Sequence, residues 1–416
     1  EFRRVLFRSQ RELMWFGVLG SARGGPAWAA ARGVARTLAR EWPATRVRSL
    51  WIDGAVESSD VVRVIDVFCA GASEQDLVLR QGRVFHQRLE PRPLQGRAGS
   101  APALGPQSTV LMLGGGDGIT AEVAVALAAR YRCRVALLGR TARPSSYPYP
   151  QARSDAELRA ALIEELRETG SGAGAQGADS RGEVERLRER MQQVRRARAV
   201  YTTCERIEAA GGHAHHEAAD ATDRTALSRA LARIRQACGP LHGVVHGVGL
   251  AEDALLERKS LASFRRVVRT KTESVALLRE LVQDDPLQFA FLFSSLSAHA
   301  GTPGQVDYVA ANEVLGAAAE DWNLAVSYPV RALLWSVWSE AGMASTALVR
   351  QMERLGLPGI RTRLGTAQFE DELTHGLKQE SWALLAPEAT LAYALHAAPV
   401  PVPEQVSASR EENLHV

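Results

Sequence analysis

The sequence predicts an α/β fold built around a doubly wound parallel sheet with helices on both of its faces. Short apolar runs such as Ser108–Leu113 and Leu287–Ser295 alternate with helical patterns through most of the chain. This alternation is typical of a parallel sheet, because each parallel connection needs a crossover segment, usually a helix. With 416 residues, the chain is long enough for two or three packing units, each with its own apolar core.

The first quarter of the chain has a less regular pattern. An amphipathic helix pattern covers Ala27–Trp42, and an apolar strand pattern follows at Val47–Asp53. Two strand-like runs flank Gln81-Gly82, which predicts a hairpin. Pro91–Gln107 is rich in Pro, Gly, Ala and Ser, as linkers are. Because the chain lacks an initiator methionine, we expect a piece of a longer polypeptide whose first ten or so residues are foreign or frayed.

From residue 108 onward, strands and helices follow each other in regular order. The strand candidates are Ser108–Leu113, Arg134–Arg140, His242–Gly249, Leu287–Ser295 and Arg331–Trp338. The helix candidates are Ala121–Arg132 and Phe264–Val282. We therefore expect four parts in the chain, which are residues 1–98, a linker at 99–107, a sheet domain at 108–400 and a tail at 401–416.

An insertion at about 142–205 interrupts the predicted sheet domain. Charged helical patterns lie on both sides of a Gly- and Ser-rich tract, which we expect to be mobile. A pair of solvated helices is the favoured interpretation. A coiled-coil contact with a neighbouring domain is the alternative.

Composition excludes several classes of function. With 50 basic and 47 acidic residues the net charge is only +3, so no nucleic-acid partner is expected. No apolar run approaches the roughly 20 residues that span a bilayer, and no signal-peptide pattern is present.

The cysteines form no CxxC pair, which predicts buried thiols in a reducing cytoplasm: Cys69, Cys133, Cys204 and Cys238. Three neighbouring histidines are interpreted as surface residues, so no metal site is expected: His213, His215 and His216.

A glycine cluster lies between the first strand of the predicted sheet domain and the helix that follows. Glycines at such a turn let the backbone approach a pyrophosphate, whose charge is favoured by the amide groups of a helix N-terminus. The residues assigned to cofactor binding on this basis are Gly114, Gly115, Gly118 and Ile119. An ordinary strand-to-helix turn is the alternative.

Arg140 ends the second strand of the predicted sheet domain. NAD-preferring proteins carry an acidic residue there for the ribose hydroxyls, whereas a guanidinium suits a 2′-phosphate and so predicts NADPH. A solvated surface arginine is the alternative. Asp220 follows an apparent strand and is expected to bind the adenine amino group. Gly247 and Gly249 are expected to bring the backbone close to the ribose.

Four residues form a candidate catalytic set. Lys271 precedes Ser295 by 24 positions, and Ser295 precedes Tyr308 by 13. Tyr308 and Asn312 are four apart, so on a helix they share a face. In many short-chain reductases a lysine stands four residues after the tyrosine, where this chain has an asparagine.

This order and spacing resembles the ketoreductase domains of modular polyketide synthases, in which the lysine and asparagine have exchanged places relative to most short-chain dehydrogenases/reductases. The sequence GQVDYVAAN (Gly304–Asn312) and the long insertion are similar to features of the ketoreductases of polyunsaturated-fatty-acid synthases and related iterative or trans-acyltransferase synthases. The resemblance implies a Rossmann-like catalytic sheet. It also implies that residues 1–98 form a degenerate, truncated Rossmann-like structural subdomain that has lost cofactor binding.

The resemblance further implies an activity. It is the NADPH-dependent reduction of a β-ketoacyl thioester, carried on an acyl carrier protein, to the β-hydroxyacyl thioester, beside neighbouring synthase domains. Lys271 would favour the phenolate of Tyr308, which gives the proton, while Ser295 holds the ketone oxygen and Asn312 orients Lys271 or a water. The alternatives are a catalytically silent ketoreductase-like module and a free-standing reductase of small ketones.

Two positions depart from the family pattern. Asp117 stands in the glycine cluster where relatives often carry arginine or threonine, which bears on cofactor affinity. Ala251-Glu252-Asp253 stands where one stereochemical class carries Leu-Asp-Asp, which leaves the configuration of the product open.

Overall fold

The computed structural model describes residues 4–7, 12–19, 26–53, 62, 76–80, 83–86, 101–168 and 180–390. The chain folds as two compact units. The first unit comprises residues 1–101, 248–279 and 291–416, and the second comprises 102–247 and 280–290. The division expected from the sequence stays a prediction, and the expected tail at 401–416 lies outside the described residues, as do residues 99 and 100 of the expected linker.

A five-stranded sheet lies in the N-terminal part of the first unit, with strand order β1-β2-β3-β4-β5. Its strands are β1 (Arg4–Phe7), β2 (Glu12–Leu19), β3 (Arg46–Asp53), β4 (Asp76–Arg80) and β5 (Arg83–His86). The three central strands pair in parallel, and the two outer strands are antiparallel to their neighbours. The antiparallel β4–β5 pair confirms the predicted hairpin, although its turn residues lie outside the described residues.

Helix α1 (Pro26–Glu41) connects β2 to β3. Its alanine-rich sequence favours a helix, and it buries a face that includes Ala29, Ala35 and Leu38. Gly33 allows a second helix to approach closely, since a Cβ atom at this position would lie 2.8 Å from the Cα of Ala310. Helix α1 therefore packs closely along the helix of the same unit that contains Ala310.

A seven-stranded sheet has the order β12-β11-β10-β9-β6-β7-β8. Its strands are β6 (Thr109–Leu113), β7 (Arg134–Gly139), β8 (His213–Ala218), β9 (Leu241–His246), β10 (Phe289–Ser295), β11 (Val330–Trp335) and β12 (Trp382–Leu385). The β6–β7, β6–β9, β7–β8 and β11–β12 pairs are parallel. Strand order reverses beside β6, because the chain runs outward through β7 and β8 and then returns to β9. Open α/β sheets bind ligands at such a switch point.

The helices that follow α1 are α2 (Gly118–Tyr131), α3 (Asp155–Glu168), α4 (Ser180–Ala209), α5 (Arg224–Cys238), α6 (Leu261–Leu281), α7 (Leu296–Ala300), α8 (Val306–Ala325), α9 (Thr346–Arg354) and α10 (Thr362–His375). Every residue of β6 and of β11 is buried, as expected for strands covered on both faces. Within the described ranges, none of these helices combines the length and apolar character needed to cross a membrane.

The predicted insertion contains α3 and α4, with its Gly- and Ser-rich middle, residues 169–179, outside the described residues. The two helices share a small apolar cluster formed by Ala152, Leu158, Leu162, Leu187 and Val194. Their exposed faces carry ion pairs such as Arg195–Asp155. The charged pattern therefore marks the outer faces of a helical pair that has its own core.

The cysteines of the described residues are buried free thiols: Cys133, Cys204 and Cys238. Cys69 lies outside the described residues. Among the described residues, no group of three or more His, Cys, Asp and Glu side chains is arranged to hold a metal ion. His213 and His215 instead lie beside the carboxylates of Glu208 and Glu217.

Candidate active site

The four candidate catalytic residues all lie in the first unit. Lys271 is on α6, Ser295 ends β10 and caps the N-terminus of α7, and Tyr308 and Asn312 lie on α8. The Nζ atom of Lys271 is 5.9 Å from the centroid of the Tyr308 ring. Hydrogen bonds from the side chains of Asn312 and Ser295 act on the Tyr308 phenol. The structure therefore brings the four residues together.

Tyr308 is half-buried on the first turns of α8. Burial raises the pKa of its phenol above the ordinary value of 10, while the hydrogen bonds from Asn312 and Ser295 act to lower it. The net direction is upward because removal of water disfavours the phenolate. The phenol therefore carries its proton at neutral pH. This is the opposite of the lowered pKa expected from the sequence.

Lys271 explains the difference. Its side chain is 3% exposed, and its ammonium donates a hydrogen bond to the carbonyl oxygen of Phe293 at 2.8 Å. Burial lowers the pKa of Lys271 from 10.5 to about 7. An amine with this pKa is only partly charged at neutral pH, so its effect on the phenol is weaker than that of a full positive charge.

Asn312 is fully buried. Its Nδ2 donates to the backbone oxygen of Tyr308 at 2.8 Å, one turn earlier on the helix. Its Oδ1 is buried with no hydrogen-bond partner among the described residues. A buried amide oxygen rarely stays unpaired, so this atom is suited to accept from a bound water or from a cationic side chain.

Ser295 has a hydroxyl that already accepts two hydrogen bonds. The backbone N–H of Ser297 donates to it at 3.2 Å, and the Ser297 hydroxyl donates at 2.8 Å. Since a hydroxyl has one proton and two lone pairs, the Ser295 proton is left to donate elsewhere. This arrangement suits a serine that donates to an oxygen atom near Tyr308.

The glycine cluster lies in the second unit, between β6 and α2. Gly114 and Gly118 have φ angles of 80° and 65°, which glycine adopts without strain. A Cβ atom on Gly115 would lie 2.8 Å from side-chain atoms of Met112 and Leu137. The backbone therefore forms a close-packed turn at a helix N-terminus, which fits a pyrophosphate. Ile119 follows in the first turn of α2.

Asp117 caps α2 in this turn, because its Oδ1 accepts the backbone N–H of Gly118 at 2.7 Å. Helix α4 contacts the same turn. The Thr203 hydroxyl donates to the Gly116 carbonyl at 3.2 Å, and a Cβ atom on Gly116 would lie 2.7 Å from Val200. The turn is thus fixed from two sides.

Arg140 follows β7 and is exposed. Burial acts to raise the pKa of Asp220, but hydrogen bonds from the backbone N–H of Thr222 at 2.9 Å and from its hydroxyl at 2.7 Å lower it on balance, and the charge of Arg140 adds a smaller lowering effect. The structure therefore places Arg140 and Asp220 near each other, at the ends of neighbouring strands in the second unit.

Gly247 and Gly249 follow β9. The Gly247 N–H donates to the carbonyl of Leu113 at 2.8 Å, and a Cβ atom on Gly247 would lie 1.9 Å from the Thr120 hydroxyl. A Cβ atom on Gly249 would lie 3.2 Å from the Lys271 side chain. Gly249 therefore packs against a candidate catalytic residue.

Two buried ion-pair systems near Tyr308 were not predicted. Glu313 of α8, which is fully buried, binds Arg32 at 2.5 Å and Arg36 at 2.7 Å. Asp307 pairs with Lys259 at 2.8 Å. The signal in the sequence is the presence of acidic residues in a helical stretch that is otherwise apolar, since buried carboxylates require cationic partners.

Comparison with known proteins identifies the family. The pattern of the KR domain family matches residues 108–340, more than half of the chain. Erythronolide synthase EryA2 from Saccharopolyspora erythraea is 34% identical over 170 residues, 41% of this chain and 5% of that protein. A polyunsaturated fatty acid synthase from Thraustochytrium sp. is 28% identical over 346 residues, 78% of this chain and 12% of that protein. The chain thus spans a small fraction of these relatives.

Solved structures show the same fold. A structure described as A-type ketoreductases from a modular polyketide synthase is 24% identical, with a TM-score of 0.70, and the match covers 95% of this chain and 74% of that one. The Rossmann-like sheet and the small N-terminal subdomain expected from the sequence are both present. The chain therefore belongs to the KR domain family and is a ketoreductase domain of the short-chain dehydrogenase/reductase superfamily, of the kind found in polyketide and polyunsaturated-fatty-acid synthases.

Proposed function

We propose that this ketoreductase domain uses NADPH to reduce a β-ketoacyl thioester, carried on an acyl carrier protein, to the β-hydroxyacyl thioester. The observation that carries the proposal is the convergence of Lys271, Ser295, Asn312 and the protonated phenol of Tyr308. A ketone that accepts hydride at carbon needs a proton at oxygen, and a half-buried phenol between hydrogen-bonding side chains is suited to give it.

The proton path follows from the hydrogen bonds. Tyr308 gives its proton to the ketone oxygen, while the proton left on Ser295 holds that oxygen in place. The developing negative charge meets donors that are already oriented, which is the main source of the rate gain. Lys271, with a pKa of about 7, resupplies the proton near neutral pH, and the unpaired Oδ1 of Asn312 holds the water that connects them.

The cofactor is assigned to the second unit by its chemistry. The glycine turn fits a pyrophosphate, and the exposed Arg140 supplies a cation for a 2′-phosphate, which supports NADPH over NADH. When bound, the nicotinamide supplies the hydride. Gly114, Gly115, Gly118 and Ile119 hold the phosphates in this proposal, Asp220 binds the adenine, and Gly247 and Gly249 line the ribose.

The partners are proposed from the relatives. Both curated relatives named above are much longer synthases, so neighbouring synthase domains and an acyl carrier protein are the expected partners of this domain. A reducing, cytoplasmic location suits the buried free thiols of Cys133, Cys204 and Cys238.

The direct test is reduction of a β-ketoacyl N-acetylcysteamine thioester, followed by NADPH absorbance and by chromatography of the hydroxyacyl product. The control is Tyr308→Phe, which removes one hydroxyl and leaves the ring in place. We expect the variant to fold and bind NADPH, while turnover falls by at least about 10². Tyr308→Phe turnover near that of the unmodified chain would show that the proton comes from another group.

A silent structural module remains the second candidate, because one observation favours it. The Asp117 carboxylate already binds the Gly118 amide, so it occupies a donor and adds negative charge where a pyrophosphate is expected. A fluorescence titration with NADPH decides between the two. Saturable binding that tightens in Asp117→Thr supports the reductase, and the absence of binding in both proteins supports the silent module.

A further inference from the structure

The loop that follows β9 is fixed to the N-terminal turn of α8. We call residues 250–259 the 250s loop. Its Ala254 N–H donates to the carbonyl of Gly304 at 2.8 Å. The side chain of Gln305, the residue before α8, donates to Asp253 at 3.1 Å. The loop therefore touches the segment that leads directly into Tyr308.

Lys259, at the end of the loop, makes a further contact with α8. Its ammonium binds the carboxylate of Asp307 at 2.8 Å. It also donates to the backbone carbonyl of Glu252, at the other end of the loop. One ammonium thus joins both ends of the 250s loop to the first turn of α8.

Asp307 connects Lys259 to Tyr308, the candidate proton donor. Its second oxygen accepts the backbone N–H of Tyr308 at 2.9 Å. The Lys259–Asp307 pair is therefore bound to the main chain of Tyr308 itself. A shift of Lys259 is therefore expected to displace the main chain of Tyr308, the candidate proton donor.

The pair is held away from water. The side chains of Lys259 and Asp307 are 2% and 1% exposed. Removing two charges from water is unfavourable, and an apolar pair of the same size is often at least as stable, so buried ion pairs are weak evidence of stabilisation. What such a pair does supply is one required geometry, because each charge needs its partner at hydrogen-bond distance.

The loop also lies near the side chain of Tyr308. The charge of Asp253, on the loop, acts on the Tyr308 phenol. Glu252 is held by Arg266 at 2.6 Å and by the Ser263 hydroxyl at 2.6 Å, so the loop is oriented from α6 as well. A ketone that approaches the phenol is therefore expected to meet a loop that Lys259 helps to hold in place.

We infer that Lys259 is a positioning residue. Through Asp307 it holds the 250s loop at a fixed position relative to Tyr308, and so determines which face of the ketone is presented to the hydride. The inference rests on the proposed reduction. Loss of the pair removes the ammonium that joins the ends of the 250s loop to α8, while the Ala254–Gly304 and Gln305–Asp253 contacts remain and no group that touches the reacting atoms is removed. The substrate is then held less firmly, whereas the glycine turn in the second unit keeps its own contacts.

The test uses Lys259→Met, which keeps the length of the side chain and removes its charge. Lys259→Arg is the conservative variant, and Arg269→Met is the matched control because Arg269 forms an exposed ion pair on α6. Three quantities are measured on folded protein: kcat and KM with a β-ketoacyl N-acetylcysteamine thioester, KM for NADPH, and the enantiomeric ratio of the hydroxyacyl product.

We expect Lys259→Met to lower kcat/KM for the thioester by about tenfold or more, with KM for NADPH unchanged within about twofold. We also expect the enantiomeric ratio to move toward parity. Lys259→Arg should recover most of the rate, and Arg269→Met should match the unmodified chain. Asp307→Asn should reproduce the effect of Lys259→Met, and the double variant should be no slower than the slower single variant, because both act through one contact.

Each other outcome is decisive. A folded Lys259→Met with unchanged rate and enantiomeric ratio overturns the inference while the proposed reduction stands. If Lys259→Met does not fold, Asp307→Asn, which keeps volume and the acceptor for Tyr308, is judged on the same readouts. Failure of both variants to fold would show that the pair serves folding, and would overturn the inference. An unmodified chain that reduces no β-ketoacyl thioester overturns the proposed function itself.

Discussion

Lys271 and Arg140 show how burial changes what a single cation can do. Lys271 is enclosed and has a pKa of about 7, which makes it an acid and base near neutral pH. Arg140 is exposed, and the planar guanidinium of an arginine presents several N–H donors that match phosphate oxygens. The first therefore suits proton movement, and the second suits recognition of a phosphate.

The lowered pKa of Lys271 predicts a pH dependence of stability. The unfolded chain holds the lysine proton up to its ordinary pKa of 10.5, whereas the folded chain releases it near 7. Between these values the unfolded state binds more protons, so the free energy of unfolding rises with pH by about 1.4 kcal/mol per pH unit from this group. Below pH 7 the destabilisation is fully present.

Lys271→Met should remove that slope. Urea unfolding of both proteins between pH 6.5 and 9.5 measures it, and the advantage of the variant over the unmodified chain should shrink as pH rises. Parallel stability curves for the two proteins would contradict the lowered pKa.

Arg140→Ala tests the cofactor assignment at the residue scale. A charge-assisted contact with a 2′-phosphate contributes about 1 to 3 kcal/mol. We therefore expect the preference for NADPH over NADH, measured as the ratio of kcat/KM values, to fall by roughly 5- to 150-fold. Arg229→Ala, on the exposed side of α5 in the same unit, is the control. Equal use of both cofactors by the unmodified chain would remove the basis for the assignment.

At the scale of elements, ion pairs connect α1 to α8. Arg36 is 2% exposed and binds Asp76 at 2.5 Å, Glu313 at 2.7 Å and the carbonyl of Ala298 at 2.7 Å. Glu41, at the end of α1, accepts the N–H groups of Leu256 and Gly304, each at 2.8 Å. Helix α1 thus supports the helix that carries Tyr308 and the loops beside it.

Arg36→Met should therefore destabilise the chain strongly. Removing one partner of a buried ion pair typically costs about 3 to 5 kcal/mol, because the remaining charge stays buried without its partner. Urea unfolding measures the loss. Arg224→Met, which breaks the exposed Arg224–Glu280 pair, should change the midpoint little. Similar small effects in both variants would show that the α1–α8 contact is not maintained in solution.

The elements that the sequence predicts best are those with a local signal. The strand pattern at Ser108–Leu113 contains β6, and the charged patterns of the insertion correspond to α3 and α4. The Lys271, Ser295, Tyr308 and Asn312 set is recognisable because the order and spacing of its members resemble those of a known family.

The partners of buried charges could not be predicted in the same way. Arg36 and Glu313 are 277 positions apart, and Lys259 and Asp307 are 48 positions apart. A charged residue alone is interpreted as a surface residue, since most are. The direction of the Tyr308 pKa was missed for a related reason, because burial is a property of the fold and exceeds the effect of a nearby lysine.

At the scale of the whole molecule, the first unit is assembled from three separate stretches of chain, with the second unit encoded largely between them. A chain that begins at residue 102 would lose α1 and leave Glu313 without Arg32 and Arg36. We expect such a chain to be insoluble or to lack cooperative thermal unfolding, measured by its soluble fraction and by circular dichroism. A soluble, cooperatively unfolding product would contradict the integral role given to the N-terminal residues.

The interleaved order of the two units also sets a sequence of events on the ribosome. Helix α1 emerges long before its partner helix, since Arg36 and Glu313 are 277 residues apart. At roughly 5 to 20 residues per second, translation takes about 14 to 55 s to cover that distance. During this interval the nascent α1 has no α8 to cover its apolar face. The first unit can close only after the second has been synthesised, so slow translation or chaperone binding at that stage should govern the yield of active domain.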